Sequence, residues 1–145
     1  MPVDFIDSNV LLYLFDETNG AKREIAERVL TSALLEKSGI ISFQVVQETL
    51  NVLSTKLPEP ASAEDTERFL EKVLLPLWRV MPSAGLYRET LRTQDRYKYH
   101  FYDALIIAAA REAGAARLLT EDLQDGQKIE GLEIVNPFRA GCDPI

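Results

Sequence analysis

The sequence predicts an α/β fold, a parallel sheet covered by helices on both faces. Two observations predict it. Short apolar runs of strand length alternate along the whole chain with longer runs of helical spacing. Two helices fall between some of the strands, which is the order of a parallel sheet with crossover helices. No repeat, low-complexity stretch or linker divides the 145 residues, so a single domain over 1–145 is expected.

Val3 to Asp7 alternates like a strand and stops at D-S-N, a helix-start signature. Val10, Leu11, Leu12 and Leu14 then make a largely buried first helix. Ile25, Val29, Leu30 and Leu34 carry helical spacing from Gly20 to Lys37, with Gly39 as the expected stop. Ile40-Ile41 is a short strand. Ser42 is placed to cap a helix over about 43–55, and L-P-E-P-A-S breaks it. Ser62 and Asp65 fit a capping box for a helix that Pro76 should end near Leu75. Trp78 to Met81 is a strand, and Ser83 caps a helix over about 84–97. A helix from Asp103 to Ala113, stopped by Gly114, leads to strands at Arg117–Thr120 and Leu132–Val135.

Composition narrows the function classes. Hydrophobic residues make up 46% and charged residues 27%, ordinary for a soluble globular chain. No apolar run approaches the roughly 18–20 residues of a membrane span. The start M-P-V-D-F-I-D lacks a basic n-region, so no signal peptide is expected and the cytoplasm is the default. The single cysteine, Cys142, can form neither an intramolecular disulfide nor a zinc site alone. The net charge of −7 argues against holding nucleic acid by bulk charge, and leaves room for an acidic metal site with a local basic track or for a basic protein partner.

Four acids stand out. Asp7 ends the first strand and Asp122 follows R-L-L-T. Glu48 borders the apolar face of its helix between Val45 and Val52. Asp103 opens a helix that is otherwise almost wholly apolar, on the same face as Ile106, Ile107 and Ala110. A buried carboxylate is costly unless charge or hydrogen bonds offset it. Taken singly, Asp7 and Asp103 read equally as helix caps or first-turn acids, Glu48 as a boundary residue and Asp122 as a turn residue. Taken together they can meet beyond the carboxyl ends of the strands, where open parallel sheets bind ligands. Like charges gathered there need a cation, and all-oxygen ligands suit Mg²⁺ or Mn²⁺.

The blocks F-I-D-S-N-V-L-L-Y, S-F-Q-V-V-Q-E-T-L-N-V-L, Y-D-A-L-I-I-A-A-A-R-E-A-G-A and L-L-T-E-D-L-Q-D-G resemble the four acidic blocks of PIN-domain ribonucleases, above all VapC-type toxins of toxin–antitoxin pairs. The resemblance runs from Val3 to about Phe138. It implies a three-layer α/β/α sandwich and an Mg²⁺- or Mn²⁺-dependent endoribonuclease that leaves 5′-phosphate and 3′-hydroxyl ends. It implies that Asp7, Glu48, Asp103 and Asp122 are the catalytic and metal-site acids, with Asp125 as the alternative to Asp122. Asn9 and Thr120 match supporting polar positions. It further implies an antitoxin partner that reaches the acids, with Gly20–Lys37 and Ser62–Leu75 as groove walls, and a homodimer.

RNA also needs a positive path. Arg88, Arg92 and Arg96 recur at i, i+4 and i+8, and Lys98 and His100 extend the stripe toward Asp103. The same residues also read as a solvated helix face, with Glu89 and Asp95 nearby. Tyr97, Tyr99, Phe101 and Tyr102 can stack on bases or pack at the helix junction. The rival readings are a catalytically silent PIN-like binding module and a phosphoryl-transfer domain. The second fits poorly, because D-S-N-V has Asn9 where a phosphatase of that kind has its second aspartate, and no lysine follows R-L-L-T.

Overall fold

The computed structural model describes residues 2–139; Cys142 lies outside them. The strands are β1 (Asp4–Ile6), β2 (Gly39–Ser42), β3 (Trp78–Val80), β4 (Arg117–Leu119), β5 (Lys128–Ile129) and β6 (Leu132–Val135). They form one six-stranded sheet in the order β3-β2-β1-β4-β6-β5. All neighbours pair in parallel except β5 and β6. Among the described residues seven α-helices flank the sheet: α1 (Ser8–Leu12), α2 (Gly20–Glu36), α3 (Phe43–Asn51), α4 (Ala63–Phe69), α5 (Leu75–Leu77), α6 (Ala84–Tyr97) and α7 (Phe101–Glu112). The result is the expected three-layer α/β/α arrangement, with one antiparallel strand at its edge.

Strand order positions the site. The chain lays β2 and β3 on one side of β1, then returns to place β4 and β6 on the other. That reversal leaves a crevice beyond the carboxyl ends of β1 and β4. Asp7 follows β1 and Thr120 follows β4, so both open onto it. The Asp7 N–H donates to the Leu119 carbonyl at 3.0 Å, joining the two strand ends. At the opposite ends, Arg117 grips Asp4 through two bonds of 2.9 and 2.7 Å across the same strand pair.

Helix α7 shows how an apolar run can carry an acid. Residues 104 to 110 are all buried. Burying Ile106 and Ile107 contributes about 1.5–3 kcal/mol each. The helix begins at Phe101, two residues before the expected start, so Asp103 occupies its first turn, half-buried. There the helix dipole favours an acid. Gly114, at φ 71°, ends the helix as expected: its N–H donates to the Arg111 carbonyl and that of Ala115 to the Ala110 carbonyl.

Several local expectations are corrected. Helix α2 ends at Glu36, where Lys37 forms the left-handed cap at φ 54°, rather than near Gly39. Gly39 instead opens β2, where a Cβ would stand 2.5 Å from that of Ala33. Ser42 sits at the N-cap position of α3, but its hydroxyl makes no capping bond. Ser62 does accept from the Asp65 N–H at 3.0 Å, while the Asp65 carboxylate turns to Arg68, so half of the capping box forms. Pro76 does not stop the helix before it. A wide turn over Leu70–Leu74 precedes α5, and the proline falls in the first turn of α5, where its missing N–H is harmless. Strand β5 is an addition. It folds back on β6 through Glu130 and Gly131, both at positive φ, the geometry of a two-residue hairpin turn.

Candidate functional site

Asp7 caps α1, its Oδ1 accepting from the Ser8 N–H at 2.7 Å. Its Oδ2 accepts from the Thr120 hydroxyl at 2.8 Å and from the Asn9 amide at 3.3 Å. Asn9 is a hub. Its Nδ2 also reaches Thr120 Oγ1 and Asp122 Oδ2, both at 3.0 Å, and its Oδ1 accepts from the Glu121 N–H at 3.3 Å. The Thr120 hydroxyl is fully used, donating to Asp7 and accepting from Asn9 and, at 3.2 Å, from the Asp122 N–H. The two polar residues read as supporting thus bind Asp7 and Asp122 into one network.

Glu48 joins through Ser8, whose hydroxyl donates to Oε1 at 3.2 Å. Asp103 arrives from α7, which runs back against the strands and so starts at their carboxyl ends. The four acids feel one another. Burial pushes Asp7, 8% exposed, from 3.8 up to about 6; hydrogen bonds from Thr120 and Ser8 oppose this, and the charges of Glu48 and Asp122 add to it. Burial also raises Glu48, with Asp122 and Asp103 adding to it and hydrogen bonds from Ser8 and Gln44 lowering it. Burial and then the Asp122 charge raise Asp103, while His100 opposes.

Asp125 stands apart. Its Oδ1 accepts from the Asn136 N–H at 2.7 Å and its Oδ2 pairs with Arg139, bonds that hold it below the usual carboxylate range. Asp122 shares the Asn9 amide with Asp7, and its charge bears on Asp7, Glu48 and Asp103.

The donor set is all oxygen and mutually repulsive, which fits a hard divalent cation in kind. Among the described residues, no three His, Cys, Asp or Glu side chains are gathered closely enough to hold a metal ion as they stand.

The basic stripe on α6 is largely engaged. Arg92 pairs with Glu89, Arg96 with Glu130 at 3.3 Å and Lys98 with Asp95 at 3.7 Å. Arg88 is exposed. Of the aromatics, Tyr97, Tyr99 and Phe101 pack against the core, whereas Tyr102, next to Asp103, is 66% exposed.

Sequence reasoning missed three features here. Ser8 was legible only as part of the helix-start signature D-S-N. Gln44, one turn before Glu48, is 5% exposed and donates to the Tyr102 carbonyl at 3.3 Å. Lys22 pairs with Glu121 at 2.7 Å, donates to the Tyr13 hydroxyl at 3.1 Å and lies over the rings of Tyr13 and Phe138 at 4.8 and 5.5 Å. With Tyr13 also bonded to Glu121, this cluster anchors the turn that carries Asp122. Only the i, i+4 spacing of Gln44 and Glu48 signalled any of this.

The comparisons with known proteins agree with the fold. The chain is similar to a toxin–antitoxin complex from Klebsiella pneumoniae, with a TM-score of 0.65, 21% identity, and 92% of this chain and 97% of that one covered. It is similar to Mycobacterium tuberculosis VapC20, a sarcin-ricin-loop-cleaving toxin, with a TM-score of 0.60, 20% identity, and 82% and 91% covered. It is similar to FitAcB from Neisseria gonorrhoeae, with a TM-score of 0.62, 20% identity, and 94% and 99% covered. No curated protein matches the sequence. The family model described as the PIN domain matches residues 5–125, a span that takes in Asp7, Glu48, Asp103, Asp122 and Asp125, and the chain therefore belongs to the PIN domain family.

Proposed function

We propose that this chain is a divalent-cation-dependent endoribonuclease and the toxin of a toxin–antitoxin pair. The observation that carries the reading is the mutual field at the β1/β4 crevice: Asp7, Glu48 and Asp103 are all pushed upward, each partly by the other acids. A fold keeps such a cost where charge is to be used. PIN membership and structural neighbours that are toxins or toxin–antitoxin complexes support RNA as substrate and an antitoxin as partner.

Asp7, Glu48, Asp103 and Asp122 would hold Mg²⁺ or Mn²⁺. The bound ion supplies a more acidic water and offsets charge on the scissile phosphate. The chain's own groups do the rest. Asn9 and Thr120 hold Asp7 and Asp122 in register. Tyr102 offers an exposed ring beside Asp103 for a base to stack on. Arg88 begins the approach for the phosphate backbone, and the surface pairs of Arg92, Arg96 and Lys98 are weak enough to exchange for phosphate. A homodimer and a cytoplasmic setting complete the proposal. Among the described residues no helix is long and apolar enough to cross a membrane.

A second reading, a silent PIN module that only docks a partner, draws on the spread of the acids. Induced expression of wild type and Asp103→Asn, followed by sequencing of RNA 5′ ends, separates the two. The nuclease produces new monophosphate ends with the wild type alone. Growth arrest that persists in Asp103→Asn counts against it.

A further inference from the structure

Gln44 is an unexplained polar group one turn from Glu48. It lies in the first turn of α3 and is buried. Nε2 donates to the carbonyl of Tyr102, the residue directly before Asp103. Glu48 lies one turn along the same helix. The Gln44 Oε1 is buried without a partner among the described residues. A buried carbonyl left unmatched is a standing cost, and an apolar residue of the same shape would avoid it. The position nonetheless holds an amide.

We infer that Gln44 is a positioning residue that couples the two acid-bearing helices, holding Glu48 on α3 at a set distance from Asp103 on α7. Gln44 is carried on α3 and its amide is bonded to the backbone of α7, so a shift of either helix is passed to the other. The acids repel, and without such a tie the first turn of α7 is free to drift from α3 until an ion draws the carboxylates in. Gln44 shortens that drift and so favours cation uptake, without itself becoming a ligand. This rests on the acid-site reading above. Partners of this kind, one bond removed from the ligands, typically alter metal affinity about 10–100-fold when lost.

The test is Mn²⁺ binding to the intact chain, by calorimetry or by the electron paramagnetic resonance of free Mn²⁺, in wild type, Gln44→Met and Glu48→Gln. Methionine matches the shape and removes both the donor and the orphan carbonyl. Expected is about tenfold or greater weakening in Gln44→Met with a melting temperature close to that of the wild type. Gln44→Leu provides the same comparison should the methionine variant not fold. Affinity within about twofold of wild type in a Gln44 variant, while Glu48→Gln weakens binding in the same assay, overturns the inference and leaves the acid site standing. A wild type that takes up no Mn²⁺ overturns the acid-site reading and this inference with it.

Discussion

The Thr120 hydroxyl donates to the Asp7 carboxylate at 2.8 Å although 113 residues separate the two in sequence. The bond joins the ends of the two strands that flank the sheet's reversal. It also makes a local prediction. Thr120→Val keeps the branched shape but strips a donor from Asp7 and an acceptor from both Asn9 and the Asp122 N–H. Urea unfolding should show a loss of about 1–3 kcal/mol. Equal midpoints for the two proteins would mean that the network does not hold the strand ends together.

Asp7 makes stability depend on pH. Its folded value, about 6, lies above the ordinary 3.8, so between these values the folded state binds more protons than the unfolded one. Stability from this group therefore falls as pH rises from 4 to above 6, by on the order of 3 kcal/mol. Glu48 and Asp103 shift in the same sense. Asp7→Asn, measured in chelator, should be more stable than wild type at pH 7.5 and should lose that advantage near pH 4. An asparagine variant that is less stable at pH 7.5 would show that the carboxylate is not strained by burial.

Gly39 tests the packing of α2 on the sheet. A methyl group there meets Ala33 at 2.5 Å, with Ile6 and Leu77 also close, at 3.2 and 3.4 Å. Gly39→Ala should cost about 1–3 kcal/mol by overpacking, read as a lower melting temperature with the same far-ultraviolet spectrum. A neutral result would show that α2 can shift freely on β2.

RNA contact should divide between an aromatic and a cation. Removing the Tyr102 ring should weaken binding of single-stranded RNA by about 1–3 kcal/mol with little change in salt dependence. Arg88→Ala/Arg92→Ala should lower the slope of affinity against salt concentration. Filter binding to catalytically dead protein reads both. An unchanged salt slope removes the basic track, and unchanged affinity in Tyr102→Ala removes the stacking platform.

Much of this was legible because the acids interrupt apolar patterns. Asp103 in an alanine-rich helix and Asp7 at the end of an apolar strand are visible as breaks, and the helix over 84–97 could be bounded from Ser83 alone. What escaped depends on distance along the chain or on balance between weak signals. Arg96 finds Glu130 34 residues away, which no local pattern of charge announces. Strand β5 is two residues long and closes through Glu130-Gly131, a poorer turn signal than Asn-Gly. Gln44 sits on a buried helix face, where an amide one turn from a carboxylate looks like an ordinary boundary residue. The partners of Asp125 needed coordinates, because only the fold shows that Asn136 and Arg139 engage it.

The central claim is that Asp7, Glu48, Asp103 and Asp122 act as one ion-dependent hydrolytic site. Incubating purified protein with total RNA, with Mn²⁺ or with chelator, tests it most directly when Asp7→Asn and Asp103→Asn are run beside the wild type. Cleavage to 5′-monophosphate ends by the wild type with Mn²⁺, lost in chelator and lost in both variants, is the predicted result. Cleavage that survives either substitution, or proceeds equally in chelator, would contradict it.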